Sequence, residues 1–175
     1  MTKKVYRVYF ASKVNKHFPK KQYTQLREAL ESMTITTQGM RIEIISPNDF
    51  GNAAEMRDRH ENTTNAINDL LARQDFDALA KADCVVVCCP TGRLGRGTAL
   101  EIGYKSAIQK ETTQCIVGYA PKEEDTLLNP VIARPVIWIN SWEKTIDHIR
   151  RHIEHVQHGS PHIKVELKKP KKEKK

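Results

Sequence analysis

Two periods of hydrophobic residues alternate along this chain. Short runs rich in β-branched and aromatic residues are typical of strands, whereas apolar residues three and four positions apart are typical of helices. The strand-like runs are Val5–Ala11, Met40–Ile45, Asp83–Cys89, Gln114–Tyr119 and Pro135–Ile139. The helix-like segments are Lys20–Met33, Thr63–Ala82, Thr98–Gln109 and Ser141–Gln157. Strands and helices are therefore predicted to alternate along the chain.

The third strand-like run is apolar without interruption from Cys84 to Cys89. Such a run is typical of a central parallel strand that is buried on both faces. With the alternation, it predicts a doubly wound α/β fold: a mostly parallel five-stranded sheet with helices on both faces, Rossmann-like or flavodoxin-like. Ligands bind such sheets at the carboxyl ends of strands, near the point where the strand order reverses. We expect a site at Phe10–Lys13 and Pro90–Glu101.

The length of 175 residues suits a single domain, which we place at residues 1–159. No apolar run approaches the roughly 20 residues that a membrane helix needs. The basic first residues are not followed by the apolar core of a signal peptide. We therefore expect a cytoplasmic protein without a membrane partner.

The formal charge of +8 is concentrated at the end of the sequence. Ser160–Lys175 holds seven lysines and two glutamates, whereas the preceding residues are close to neutral. This composition predicts a basic, disordered tail. No aromatic residues interleave with the lysines as a stacking platform for bases would require, so nucleic acid is not the expected partner.

Two clusters of potential ligand residues are interpreted as structural. The cysteines are expected to be buried, reduced thiols in strands, since none forms a CxxC pair. Three histidines share a face of the last helix, but no cysteine or carboxylate completes a metal site beside them. The cysteines are Cys84, Cys88, Cys89 and Cys115, and the histidines are His148, His152 and His155.

The turn after the apolar strand is the segment best suited to binding an anion. Its glycines, Gly92, Gly95 and Gly97, let backbone amides approach a ligand closely. The turn leads into a predicted helix N-terminus, which favours a negative group. Arg93 and Arg96 could donate hydrogen bonds to a phosphate.

Glu101 in the following helix has two interpretations. Thr98 and Glu101 have the spacing of a capping box, in which the glutamate folds back onto the cap amide. The helix N-terminus is also expected to hold Glu101 ionised, as a carboxylate nucleophile must be. Asp75 is the natural second carboxylate for glycosidic chemistry, in which one group attacks and the other handles protons, although from composition a solvated helix face is favoured there.

Three segments together resemble the nucleoside 2-deoxyribosyltransferase family and its nucleotide-hydrolysing relatives. Val8–Ser12 is similar to the family's first strand, of the type I-Y-x-A-G. Asp75–Val86 resembles D-[IL]-E-x-L-x-x-A-D-V-V-V, and Gly95–Lys105 resembles D-x-G-T-A-x-E-[IL]-G-Y-A in all but its first and last positions. The motifs occur in the family's order within residues 5–140.

The resemblance implies a role for each of three residues. Glu101 would be the nucleophile that forms a glycosyl-enzyme ester, Asp75 would assist proton transfer to or from the base, and Tyr9 would orient Glu101. A second base attacking the intermediate gives transfer, and water gives hydrolysis. The resemblance further implies a nucleotide or nucleoside substrate, no metal or organic cofactor, and a homo-oligomer.

Two departures from the family pattern concern the substrate. The acid that binds the free sugar hydroxyl in the transferases is replaced by Gly95, which removes a charge that would repel a 5′-phosphate. With Arg93 and Arg96 beside it, and Thr98 at the start of the helix, this favours a nucleoside 5′-monophosphate over a free nucleoside. The loop after the first strand lacks the glycines of the hydrolase branch, and Ser12 or Lys13 would have to substitute.

Two other classes of function remain open from the sequence. One is a non-catalytic module that binds or senses nucleotides with the same phosphate-binding turn. The other is a glycohydrolase that cleaves NAD, since such enzymes also use a glutamate nucleophile on an α/β fold. Base release from nucleotides, and nicotinamide release from NAD, separate these alternatives.

Overall fold

The computed structural model describes residues 4–12, 19–36, 40–50, 64–92, 94–109, 115–121 and 134–158. Strands and helices alternate through these residues, as the pattern predicts. The strands are β1 (Lys4–Ala11), β2 (Met40–Ile45), β3 (Cys84–Cys88), β4 (Cys115–Tyr119) and β5 (Ile137–Ile139). The helices are α1 (Lys20–Thr36), α2 (Thr64–Lys81), α3 (Arg96–Ile108) and α4 (Trp142–His158). A short 3₁₀ turn, Pro47–Phe50, follows β2.

The five strands form one sheet in the order β2–β1–β3–β4–β5, and every described pair is parallel. This is the flavodoxin-like order, in which the direction of winding reverses between β1 and β3. In their register Val8 pairs with Cys84 and Ala11 with Val87, so both strands end at the same edge. The predicted doubly wound α/β fold is confirmed, and the sheet is parallel throughout its described strands.

Alternating side chains of the central strands build one core on each face of the sheet. Tyr6, Val8 and Phe10 of β1 pack with α1 and α4. Tyr9 and Ala11 point to the opposite face, where α2 and α3 lie. Parallel strands covered on both faces in this way are expected to be apolar along their whole length, and every residue of β3 is buried.

All four cysteines are buried and none forms a disulfide, as expected. No helix in the described part of the chain is long and apolar enough to cross a lipid bilayer. The tail at residues 160–175 lies outside the described residues.

Candidate active site

The α2/α3 face of the sheet holds a buried tyrosine between two carboxyl groups. Tyr9 of β1 is fully buried. Its hydroxyl lies 3.2 Å from Asp75 Oδ1, on α2, and 3.1 Å from Glu101 Oε1, on α3. The three residues that the sequence assigns to catalysis are therefore brought together from β1, α2 and α3. We call them the Tyr9 triad.

The Tyr9 hydroxyl cannot donate a full hydrogen bond to both carboxyl groups at once. A tyrosine hydroxyl has only one proton to donate, and an ionised carboxylate can only accept. Full hydrogen bonds to both Asp75 and Glu101 therefore require that one carboxyl group is protonated and donates to the Tyr9 oxygen. The geometry fits a pair of acids that holds one proton between them.

The pKa values of the triad are shifted in the direction that this arrangement requires. Burial raises the pKa of Glu101 to about 7; the hydrogen bond from Tyr9 lowers it, and the negative charge of Asp75 raises it further. Burial also raises the pKa of Asp75, against the lowering effect of the Tyr9 bond. The pKa of Tyr9 is raised by burial first and then by both carboxylates, so its hydroxyl stays protonated. Strong shifts of this kind are typical of functional sites.

One oxygen of Glu101 is left available. Oε1 accepts a hydrogen bond from the Tyr9 hydroxyl, whereas Oε2 is buried and has no hydrogen-bond partner among the described residues. Buried polar atoms are rarely left unsatisfied, and such an atom calls for an explanation. An oriented carboxylate with one unsatisfied oxygen can act as a nucleophile.

The capping-box interpretation of Glu101 is wrong. The helix begins at Arg96, its N-cap is Gly95, and no side chain bonds the cap. Thr98 therefore lies inside the first turn, where it is buried, and Glu101 bonds Tyr9 instead. Burial raises the pKa of Glu101 to about 7, which opposes the ionising effect expected from the helix N-terminus.

The glycine-rich turn follows β3 at the carboxyl edge of the sheet. Gly92 has a φ of 71°, a left-handed conformation that favours glycine, and its N–H donates to Cys89 O at 3.0 Å. Gly95 is extended and its carbonyl accepts the first helical hydrogen bond, from Ala99. Arg96 and Gly97 are exposed in the first turn of the helix.

Ser12 lies at the same edge of the sheet as the glycine-rich turn. It directly follows β1, is 6% exposed, and neighbours the end of β3 through the pairing of those two strands. Lys13 and Arg93, the other two residues expected to bind substrate, lie outside the described residues. The predicted binding residues that are described therefore lie after β1, after β3 and in the first turn of α3.

Sequence reasoning missed several features around the triad. Gln74 has a buried Oε1 atom without a partner among the described residues, directly before Asp75. The rings of Phe76 and Tyr104 lie 4.7 Å apart and join α2 to α3. Lys105 is fully buried between the same two helices. Its spacing of four from Glu101 was the one signal in the sequence that it lies on the same side of the helix.

The histidines of α4 do not form a metal centre in the structure. His152 Nδ1 lies 2.6 Å from the hydroxyl of Tyr6, on the face of the sheet opposite to the Tyr9 triad. Across the described ranges, no three histidine, cysteine or acidic residues are grouped so that they could hold a metal ion.

Solved structures of two proteins are similar in fold to this chain. One is the 2-deoxyribosyltransferase of Bacillus psychrosaccharolyticus, with a TM-score of 0.58, 14% identity, and coverage of 81% of this chain and 90% of that one. The other is the CMP N-glycosidase BcmB of Clostridium botulinum, with a TM-score of 0.51, 21% identity, and coverage of 83% and 98%. No curated protein is similar enough in sequence to count as a match.

The family assignment comes from the sequence profile that the chain matches. The profile described as Nucleoside 2-deoxyribosyltransferase aligns with residues 8–161, which is most of the chain. The match includes Tyr9, Asp75 and Glu101, and the fold agrees with that of the two solved structures. The chain belongs to the nucleoside 2-deoxyribosyltransferase family.

Proposed function

We propose that this protein cleaves the N-glycosidic bond of a nucleoside 5′-monophosphate or nucleoside, with Glu101 as nucleophile. The observation that carries the proposal is the position of the Tyr9 hydroxyl between Glu101 and Asp75. A module that only binds nucleotides has no need of two partly buried carboxyl groups that contact the same tyrosine hydroxyl. Burying them costs stability, which catalysis explains and binding does not.

In the first half of the reaction Glu101 Oε2 attacks the anomeric carbon while the bond from that carbon to the base nitrogen breaks. The base leaves with the bonding electron pair and takes a proton from Asp75. The products are free base and a glycosyl ester of Glu101. The Tyr9 hydroxyl moves the shared proton between the two carboxyl groups, so that Asp75 is protonated when Glu101 is ionised.

In the second half an acceptor attacks the anomeric carbon of the ester and releases the Glu101 carboxylate. Asp75, now ionised, takes the proton of the acceptor. Water as acceptor gives the free sugar or sugar phosphate, and a second base gives a new nucleoside or nucleotide. Both outcomes use the same residues, so the choice depends on which acceptor reaches the ester first.

Among these substrates we propose that the 5′-monophosphate is preferred. Gly95 has no side chain where the transferase pattern has an acid, and no acidic residue stands in the first turn of α3. Arg96 is exposed there, beside the free amides of the helix end. The name of one neighbour in fold, a CMP N-glycosidase, agrees with a nucleotide substrate.

The decisive test is a chromatographic assay for free base. The substrates are the common nucleosides and 5′-monophosphates, ribo and deoxy, with and without an acceptor base. Wild type is compared with Glu101→Ala and with Asp77→Asn, a control that removes an exposed carboxylate two residues from Asp75. We expect release by wild type and Asp77→Asn, and a loss of about a thousandfold or more in Glu101→Ala.

The same assay separates the alternatives. Sugar phosphate formed without an acceptor base indicates a hydrolase, and release that requires the acceptor indicates a transferase. Nicotinamide release from NAD, without release from the other substrates, identifies a NAD-cleaving enzyme instead. Nucleotide binding without any release, unchanged in Glu101→Ala, identifies a non-catalytic module.

We propose in addition that the enzyme is a homo-oligomer, as the family resemblance implies. Leu100, Tyr104 and Ile108 follow one another at helical spacing along α3, and Leu100 is 68% exposed. Phe76 of α2 extends this apolar surface. Light scattering after size exclusion should give more than one chain per particle for wild type, and a smaller particle for Leu100→Lys.

We propose a cytoplasmic location, where the substrates are found. All four cysteines are buried without a disulfide, which agrees with a reducing compartment. Fractionation of cells that produce the untagged chain tests this: recovery with a cytoplasmic marker enzyme supports the proposal, and recovery elsewhere contradicts it.

A further inference from the structure

Lys105 is a fully buried lysine that the catalytic proposal does not use. Its side chain has 0% exposure, and its Nζ atom donates to two backbone carbonyls, Leu79 O at 3.1 Å and Ala82 O at 2.5 Å. It is also the position where the chain departs from the alanine that ends the family motif. A lysine that is completely buried needs an explanation, because lysine is among the residues most rarely enclosed.

The two acceptors lie at the end of α2, which ends at Lys81: Leu79 O, which also accepts the N–H of Ala82 at 3.3 Å, and Ala82 O, one residue beyond the helix. The last carbonyls of a helix have no partner within it, and the negative end of the helix dipole lies there. An ammonium group satisfies both at once. Burial lowers the pKa of Lys105, and the nearby charge of Asp83 raises it.

Lys105 connects α3 to α2 one helical turn beyond the point where the Tyr9 triad connects them. Glu101 and Lys105 are four residues apart on α3, and Asp75 and Leu79 are four residues apart on α2. Four residues span about 6 Å of helix. Hydrogen bonds therefore link the two helices at two levels, through Tyr9 and, one turn further, through Lys105, in addition to the ring contact of Phe76 and Tyr104.

We propose that Lys105 is a positioning residue that fixes the spacing and the axial register of α2 and α3, and through them the distance between Asp75 and Glu101. An apolar side chain could fill the same volume, but it would let the helices slide, since dispersion contacts have no preferred direction. Two hydrogen bonds to fixed carbonyls have a preferred direction and length. A shift of about 1 Å at the triad is enough to break either bond of Tyr9, and misplacement on that scale is known to cost rate.

The proposal rests on the proposed function for its kinetic test. The variant is Lys105→Met, which keeps an unbranched chain of similar volume and removes the donor. We expect kcat for base release to fall about tenfold or more while KM changes less than about threefold. A merely structural role would lower the amount of folded enzyme and leave kcat per folded molecule unchanged.

A double-mutant cycle with Tyr9→Phe identifies the route by which Lys105 acts. If Lys105 works by holding the triad, the variant with both changes should be about as slow as Tyr9→Phe alone, because the geometry is already lost. Ile153→Val, in the core on the opposite face of the sheet, is the matched control, and its effect should multiply with that of Tyr9→Phe. The proposal is overturned if the fold losses of kcat in Lys105→Met and Tyr9→Phe multiply in the double variant. It is also overturned if kcat is unchanged in Lys105→Met.

Two further measurements keep the test decisive. If Lys105→Met does not fold, Lys105→Gln, which keeps one donor, carries the same cycle with the same criterion. If wild type releases no base from any substrate, the proposed function has failed, and the cycle is measured in thermal unfolding instead. The link between the helices is then supported if the double variant loses less Tm than the sum of the losses in Lys105→Met and Tyr9→Phe. A loss in the double variant that equals this sum overturns it.

Discussion

The Oε1 atom of Glu101 accepts a hydrogen bond from the Tyr9 hydroxyl at 3.1 Å, whereas its Oε2 atom is buried without a partner among the described residues. The hydrogen bond fixes the plane of the carboxyl group, and the second oxygen is free to react. Burial raises the pKa of the same group to about 7. Orientation, one free oxygen and a shifted pKa thus coincide in one side chain, and each has a measurable consequence.

Removing the Tyr9 hydroxyl should slow base release far more than it weakens substrate binding. Tyr9→Phe leaves both carboxyl groups buried and takes away their common partner, so the proton can no longer pass between them. We expect kcat to fall about a hundredfold with KM within about threefold of wild type. Tyr104→Phe, which removes a tyrosine hydroxyl from α3, is the control and should keep kcat within about twofold. A Tyr9→Phe enzyme as fast as wild type would exclude Tyr9 from the mechanism.

Base release should be fastest on the acidic side of about pH 7. The reactive form holds one proton between the carboxyl groups of Asp75 and Glu101, and this proton is lost as the pH rises through the pKa of Glu101, at about 7. At low pH both carboxyl groups become protonated, so kcat/KM should follow a bell whose two pKa values belong to the pair.

The Asp75→Asn variant tests whether the bell-shaped pH dependence of kcat/KM comes from the pair of carboxyl groups. With Asp75 removed, ionised Glu101 is the only requirement left, so the remaining slow release should rise with pH and reach a plateau. A fall in alkaline solution that persists in Asp75→Asn would show that the shared proton is not its cause.

Glu101 should destabilise the folded protein at neutral and alkaline pH. Its pKa is about 7 in the folded state and about 4.3 in an unfolded chain, so between these values the folded state binds more proton. The free energy of unfolding therefore falls as the pH rises through this window, by about 1–3 kcal/mol. Glu101→Gln removes the effect and should raise Tm at about pH 8, with little change at about pH 4. An equal gain at both values would contradict the burial of the charge.

Gly118 of β4 should not tolerate a methyl group. A Cβ atom built there overlaps the ring of Trp138, its partner on β5, and the side chain of Val136. Gly118→Ala should lower the free energy of unfolding by about 1–3 kcal/mol. Gly103→Ala is the matched change, because a Cβ at Gly103 meets nothing within 4 Å, and it should stabilise α3 by about 0.5–1 kcal/mol. Urea unfolding of both variants provides the comparison.

The basic tail should be dispensable. The family profile ends at residue 161, and the tail after Gly159 carries a net charge of +5. A chain that ends at Gly159 should keep Tm within about 2 °C and kcat within about twofold, since every residue of the described core is kept. A larger loss would place the tail in the fold or in the site, and our division into a domain at residues 1–159 and a tail would be wrong.

The fold could be predicted from the sequence because a buried parallel sheet imposes its own pattern. The uninterrupted apolar run at Cys84–Cys89 belongs to a strand that is covered on both faces, and the alternation in β1 divides Tyr6 and Tyr9 between two cores. Positions of strands and helices were correct to within a few residues. The last strand spans Ile137–Ile139 rather than starting at Pro135, because a short strand has too few residues to show a period, and α1 continues three residues past its predicted end at Met33.

The site could be predicted only in part, because spacing along one helix does not reveal what lies across from it. Thr98 and Glu101 have the spacing of a capping box, but the helix starts two residues earlier than the pattern suggested. Lys105 lies one turn from Glu101, yet its partners, Leu79 and Ala82, belong to another helix and contribute only backbone atoms. Backbone acceptors leave no trace in the side-chain sequence, so this contact is visible only in the structure.

The most direct test of the central claim is to capture the glycosyl ester on Glu101. Wild-type enzyme is mixed with a nucleoside 5′-monophosphate that it cleaves, quenched in acid within one turnover, and digested for peptide mass mapping. We predict a pentose phosphate adduct on Glu101, formed together with one equivalent of free base, and neither product from Glu101→Gln. Base release that continues in Glu101→Gln, or an adduct on another residue, would contradict the assignment of Glu101 as nucleophile.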